Sequence, residues 1–248
     1  MRILSHQAHV WFVQPESIRD TAVLQYAREV LDTGERKQLE RFIRREDAHR
    51  YLVSHLLVRR TLSKYLDIAP SEWVFTRAAH GRPEIANPNL PALRFNLTHT
   101  HGLSACIVTL SADCGVDAEF INANRHSTGI AGRMFSQTEV DRLQQLEGRD
   151  QVDYFFTLWT LREAYVKARG LGISFPMRKL TFTVENDRSI RVSFHPELAD
   201  RSEDWQFQLL RPTPQHITAV AIRCDNTAEK KLISRFLDIS SLSDSSKV

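Results

Sequence analysis

Apolar and polar positions along this chain change period several times, and each change marks an element. Residues 8–13 (Ala8-His9-Val10-Trp11-Phe12-Val13) are rich in β-branched and aromatic types and predict an opening strand. Val23, Tyr26, Ala27, Val30 and Leu31 recur at helical spacing and predict a helix over 17–31. Asp32-Thr33-Gly34-Glu35 resembles a capping box and opens a second helix, expected to run to about Arg44. A third helix is expected from about Asp47 to Leu66, with Leu52, Val53, Leu56, Leu57 and Leu62 as its core stripe. Strands follow at 73–76, 93–97 and 103–110, with a turn at Gly81-Arg82-Pro83 and a loop at 98–102 (Thr98-His99-Thr100-His101-Gly102).

The second part of the chain repeats this order. Residues 114–120 predict a strand, a polar stretch runs from Asn122 to Arg133, and Ser136-Gln137-Thr138-Glu139 is a capping box opening a helix to about Leu146. Residues 155–172 then predict a helix that is apolar on most sides, closed by Gly170 behind Lys167 and Arg169. Residues 180–184 and 190–194 alternate as a hairpin, 205–210 and 217–222 are closing strands, and Leu232, Ile233, Phe236 and Leu237 predict a helical tail. Each half thus opens with a strand, passes through helices and ends in strands. The expected fold is α+β, a pseudodimer of two similar halves, each a small, mostly antiparallel sheet packed with helices. The halves are set at 1–111 and 112–239, with a ligand cleft between them and a flexible tail at 240–248.

Composition narrows the class. Of 248 residues, 42% are hydrophobic and 25% charged, which is ordinary for a globular protein long enough to bury a sizeable core. The formal net charge of +3 does not require nucleic acid, and no nucleic-acid-binding motif is present. Residues 36–60 carry eight basic against three acidic side chains, a local patch that points to an anionic ligand or an acidic partner. Three scattered cysteines in no metal spacing argue for a reducing compartment, and a cytoplasmic location is expected. No run approaches the roughly 20 apolar residues that cross a bilayer, so no membrane role is expected.

Chemistry enters with the charges inside the long helix. Glu163 and Lys167 are four apart and share a face, so they form either an internal ion pair or one side of a site. Asp117 and Glu119 are two apart on a strand and leave the same face, either toward solvent or toward a cation. With Glu163 they make a set of three oxygen donors suited to Mg²⁺. Thr98 and His99 offer a hydroxyl and an imidazole at the end of a strand, either a phosphate grip or a turn with a satisfied histidine. No Walker loop, dinucleotide-binding glycine pattern or zinc spacing occurs.

Gly81-Arg82-Pro83, Phe95-Asn96-Leu97-Thr98-His99, Gly115-Val116-Asp117-Ala118-Glu119 and Trp159-x-x-Arg162-Glu163-Ala164-x-x-Lys167-x-x-Gly170-x-Gly172 occur in an order and spacing that resembles the Sfp-type 4′-phosphopantetheinyl transferases. Asp47-Ala48-His49-Arg50 and the leucines after it resemble that family's N-terminal helix. The resemblance implies an enzyme that moves phosphopantetheine from coenzyme A to a serine of an acyl or peptidyl carrier protein and releases adenosine 3′,5′-bisphosphate. It implies Mg²⁺ on Asp117, Glu119 and Glu163. Arg82, Thr98, His99, Asp117, Lys167 and Arg50 would bind coenzyme A, with the nucleotide side in the first half and the metal and carrier side in the second. Glu163 and Lys167 would be catalytic, Glu163 by helping to remove the serine proton. Two lysines that some members use are matched by Glu35 and Gln38, which leaves Arg36, Lys37 or Arg50 to serve, and Arg162 stands where a lysine is usual. The stretch 122–137 is expected to dock the carrier, through Arg125 and Arg133 by charge and Met134 and Phe135 by apolar contact. A monomer is expected from the internal duplication, and a non-catalytic carrier-protein or nucleotide binder on the same fold is the alternative.

Overall fold

The computed structural model describes residues 2–122, 128–172, 175–185, 189–224 and 228–239. The fold is α+β and divides into two units, one made of Met1–Ser111 with the chain from Lys231 onward, the other of Ala112–Lys230.

The first unit opens with β1 (Gln7–Val13) and continues through α1 (Thr21–Val30), α2 (Thr33–Leu39) and α3 (Arg45–Ser63). Asp20 caps α1 by accepting from the amides of Ala22 and Val23. At α2, Asp32 accepts from the Glu35 amide while Glu35 accepts from the Asp32 amide, so the capping box forms. The helix stops at Leu39, short of the expected Arg44, and residues 40–44 form a turn. A small hairpin follows, β2 (Phe75–Arg77) with β3 (Pro83–Ile85), then a longer one, β4 (Leu93–Thr100) with β5 (Leu103–Leu110). Within the sheet β1, β5 and β4 lie side by side in that order, each antiparallel to the next. Leu52, Val53, Leu56, Leu57 and Leu62 of α3 are buried against this sheet and α1.

The second unit has β6 (Cys114–Phe120), α4 (Thr128–Met134), α5 (Gln137–Gln144), α6 (Gly148–Arg169), a small hairpin of β7 (Leu180–Val184) and β8 (Ile190–Phe194), and a longer one of β9 (Trp205–Thr213) and β10 (His216–Arg223). Its sheet order is β6, β10, β9, again antiparallel. The two units therefore repeat one topology. An opening strand is followed by two helices and a longer third, then a small hairpin, then a hairpin whose second strand returns to the opening strand. Gly170 ends α6 in the left-handed conformation, at φ 65°.

The repeat extends to side chains. Arg59 of α3 is fully buried and donates to Glu35 at 2.6 Å and to the carbonyls of Pro70 and Trp73 at 2.9 and 3.0 Å. Its guanidinium lies 5.1 Å from the Phe75 ring of β2. Arg162 of α6 is also fully buried and ion-pairs with Glu139, which closes the capping box of α5 just as Glu35 closes that of α2. Arg162 donates to the carbonyls of Met134 at 3.0 Å and Leu180 at 2.9 Å, and its guanidinium lies 5.3 Å from the Phe182 ring of β7. A buried charge needs partners on every side, so each arginine ties its long helix to the helix before it and the hairpin after it.

Residues 231–236 are not a helix but β11 (Lys231–Phe236), which runs parallel to β1 from Gln7↔Lys231 to Phe12↔Phe236. It belongs to the first unit, so assigning 112–239 to the second half is corrected from Lys231 onward. Pairing with β1 satisfies backbone groups on the side of that strand away from β5. Phe236 packs on Phe12 with ring centres 5.6 Å apart, and Leu237 and Ile239 join the first core. The expected tail at 240–248 lies outside the described residues. Among the described residues no helix is long and apolar enough to cross a membrane.

Candidate active site

Gly115 sets the geometry of the second unit's charged residues. A Cβ on this residue would overlap the carbonyl oxygen of Ala164 and lie 2.5 Å from the Ala168 nitrogen. The backbones of β6 and α6 therefore meet with no side chain between them. Asp117 and Glu119 leave the same face of β6 as Gly115. On α6, Trp159, Glu163 and Lys167 recur every four residues and form one stripe. Close approach of the two elements brings that stripe to the two strand carboxylates.

The contacts are specific. The Lys167 ammonium is 2.5 Å from Asp117 Oδ1, and Asp117 is only 4% exposed. Trp159 Nε1 donates to Glu119 Oε1 at 3.1 Å. The internal Glu163–Lys167 pairing weighed from the sequence thus gives way to an ion pair from helix to strand. Burial pushes the Glu119 carboxyl up to about 7, and the charges of Asp117 and Glu163 add to the rise against the pull of Lys167 and Trp159. Burial also raises Glu163, with Asp117 adding and Lys167 opposing.

Three carboxylates on one face have the charge and the atom type that a hard dication favours. Among the described residues, however, no set of three or more His, Cys, Asp or Glu side chains is arranged to hold a metal ion. In the present arrangement the positive charge against Asp117 is that of Lys167.

In the first unit the expected residues stand as follows. Arg50 pairs with Asp47 at 3.1 Å and Glu16 at 3.8 Å. Arg82 pairs with Glu84 at 3.2 Å and follows Gly81, whose φ of 83° lies in the left-handed region open to glycine. Thr98 and His99 are not in a loop. Both lie on β4, which continues to Thr100 because β5 pairs with it to that point. Consecutive strand residues face opposite ways. Thr98 is 4% exposed, whereas His99 is exposed on the face shared with Phe95 and Leu97. A cavity of about 200 Å³ on that face is lined by Glu35, His55, Phe75, Pro83 and Leu97 among others. Glu35 is engaged with His55 at 2.6 Å and with Arg59 at 2.6 Å.

Of the expected docking stretch, Arg125 lies outside the described residues. Arg133 is exposed at the end of α4 and Met134 is half-buried. Phe135 is corrected: it is fully buried, 4.8 Å beneath the Arg162 guanidinium and 5.4 Å from Phe155, and offers no surface contact.

Sequence reasoning missed three contributors. Glycine within the strand pattern at Gly115 was the available signal of a close backbone approach. The indole of Trp159 holds Glu119, and its place four residues before Glu163 carried that information. The Glu139–Arg162 pair had no local signal, because its partners come from four separate stretches.

Residues 113–221 match the model of the 4′-phosphopantetheinyl transferase superfamily, and residues 19–111 that of the 4′-phosphopantetheinyl transferase N-terminal domain. The chain is 33% identical over 168 residues to a 4′-phosphopantetheinyl transferase of Bacillus subtilis, covering 68% of this chain and 71% of that one. It is 32% identical over 157 residues to the 4′-phosphopantetheinyl transferase Sfp of Bacillus subtilis (strain 168), covering 63% and 68%. It is 27% identical over 227 residues to the 4′-phosphopantetheinyl transferase HetI of Nostoc sp., covering 90% of each chain.

Proposed function

The chain belongs to the 4′-phosphopantetheinyl transferase superfamily, and from that membership we propose that it transfers 4′-phosphopantetheine from coenzyme A to a serine hydroxyl of an apo acyl or peptidyl carrier protein, releasing adenosine 3′,5′-bisphosphate. The observation that carries this reading is the Gly115 contact of β6 with α6, which gathers an ammonium and carboxylates on one face.

Glu163 is the base of the proposed reaction. A serine hydroxyl is a weak nucleophile near neutral pH and needs a proton acceptor in reach. Burial of Glu163 and the charge of Asp117 raise its proton affinity, which suits that role. Lys167 offsets negative charge on the departing bisphosphate, and Asp117 fixes the direction of its ammonium. Mg²⁺ would be held by Asp117, Glu119 and Glu163 once these side chains rearrange from the positions described above, and when bound would neutralise charge on the pyrophosphate. Trp159 keeps the Glu119 carboxylate turned toward the same face.

Coenzyme A recognition is assigned to Arg50, Arg82, His99, Asp117 and Lys167. The exposed His99 imidazole is favoured over the buried Thr98 hydroxyl as the phosphate contact. Carrier docking is assigned to Arg133 and Met134, with Arg125 a further candidate. The deciding experiment incubates the protein with coenzyme A, Mg²⁺ and a panel of apo carrier proteins and weighs each carrier. Addition of one phosphopantetheine is expected, and no addition to any carrier would overturn the reading.

A further inference from the structure

Helices α1, α2 and α3 line a second cavity, half open to solvent and of about 560 Å³, wholly within the first unit. Its volume falls in the range of small-molecule sites, roughly 300–1,000 Å³. The floor is Leu24, Leu39 and Leu52, all packed on or within the first core. The rim carries Arg28, Arg36 and Arg45 against a single carboxylate, Glu40. Arg50, Arg82, Thr98 and His99 do not line it.

The three rim arginines differ from those described above. Arg50, Arg59, Arg82 and Arg162 each ion-pair with a carboxylate. Arg28, Arg36 and Arg45 have no ion pair among the described residues. Arg36 is nonetheless held in place, donating to the backbone carbonyls of Leu31 at 2.9 Å and Glu29 at 3.3 Å. His49, also in the lining, is fixed by a 2.7 Å hydrogen bond to the Pro15 carbonyl. A cavity with three cations at the rim, one of them held in place, and leucines beneath them matches a ligand with two ends. Guanidinium forks suit carboxylate or phosphate, and the floor suits an aliphatic or aromatic body.

We propose that this cavity binds an amphiphilic organic anion, a carboxylate or phosphate headgroup carried on an apolar body, with the headgroup at Arg28 and Arg45 and the body over Leu24, Leu39 and Leu52. The ligand is distinct from coenzyme A, and the site functions whether or not the transfer reaction proposed above is correct.

Calorimetric titration of the full chain with octanoate and with octyl phosphate, without Mg²⁺ or carrier protein, tests this. Both should bind with one-to-one stoichiometry, and octanol should bind much more weakly. Raising salt from about 50 to about 300 mM should weaken both anions, because the contacts are exposed charges. The Arg28→Gln/Arg45→Gln double variant should bind each anion at least about tenfold more weakly, while Glu40→Gln should bind them several-fold more tightly. Thermal melts check that the variants fold. If the double variant does not fold, the Glu40→Gln titration and the salt series carry the test. Octanol binding as well as octanoate would overturn the proposal, as would unchanged affinity in a folded double variant. Displacement of octyl phosphate by coenzyme A or adenosine 3′,5′-bisphosphate would also overturn it, because the cavity would then belong to the nucleotide site.

Discussion

Gly115 and Ala164 meet backbone to backbone, with no room for even a methyl group between β6 and α6. Gly115→Ala must therefore push the helix off the strand. Overpacking of this kind costs about 1–3 kcal/mol, and a displacement near 1 Å is enough to cost roughly 100-fold in rate. The expected outcome is a folded protein with a lowered melting temperature and phosphopantetheine transfer reduced by about two orders of magnitude. Retained activity in Gly115→Ala would show that the apposition is not required.

Glu163→Gln keeps the side-chain size and removes the charge. Loss of most turnover is expected with an unchanged circular dichroism spectrum. Asp117→Ala releases the Lys167 ammonium and should also be nearly inactive, with part of the loss recovered at high Mg²⁺ if Asp117 acts through ligation. Near wild-type transfer by Glu163→Gln would make this face of α6 purely structural.

Arg162 and Glu139 form a buried ion pair, and removal of one partner leaves the other charge without compensation. Arg162→Met or Glu139→Ala should each destabilise the chain by about 3–5 kcal/mol, whereas the combined apolar replacement should recover part of that loss. Urea unfolding of the three variants measures this. Equal and additive losses would show that the two side chains act independently.

Glu35 supplies a pH dependence. Burial alone would raise its carboxyl, but the hydrogen bond and charge of His55 and the charge of Arg59 outweigh burial and pull it down to about 2. A group whose pKa falls on folding stabilises the native state above its unfolded value and loses that contribution as pH drops through its folded value. Stability should therefore decline between about pH 4.5 and pH 2. Glu35→Gln should be less stable at pH 7 by about 2–3 kcal/mol and should show a flatter decline in acid. Parallel acid profiles for variant and wild type would contradict the assignment.

Arg133 tests carrier docking. It is exposed at the end of α4, whereas Phe135 is buried. Arg133→Glu should raise the KM for an acidic carrier and leave that for coenzyme A unchanged. Equal damage to both constants would remove α4 from the docking surface.

Much of this architecture was legible because its signals are local. Capping boxes at Asp32 and Ser136, the core stripe of α3 and the alternation in β7 and β8 each sit within a few residues. The charged face of α6 was legible because Glu163 and Lys167 are one turn apart. β11 was not, since Leu232, Ile233, Phe236 and Leu237 also fit a helical period. Only pairing with β1, at the far end of the chain, makes that segment a strand. Thr98 and His99 read as loop because they are polar, yet β5 holds them in the ladder. The burial of Phe135 follows from Arg162 lying over its ring, a contact between different elements that no local window contains.

The return of β11 to β1 makes the second unit an insertion within the first. Residues 112–230 are continuous and can fold as soon as they leave the ribosome, whereas the first unit's sheet stays incomplete until residues 231–236 arrive. Until then β1 presents one row of unsatisfied backbone groups, a template for pairing with other chains. The unit made first is thus finished last, and the interval between the two events is when a nascent chain is most exposed to aggregation. Ending the chain at Lys230 would make that interval permanent.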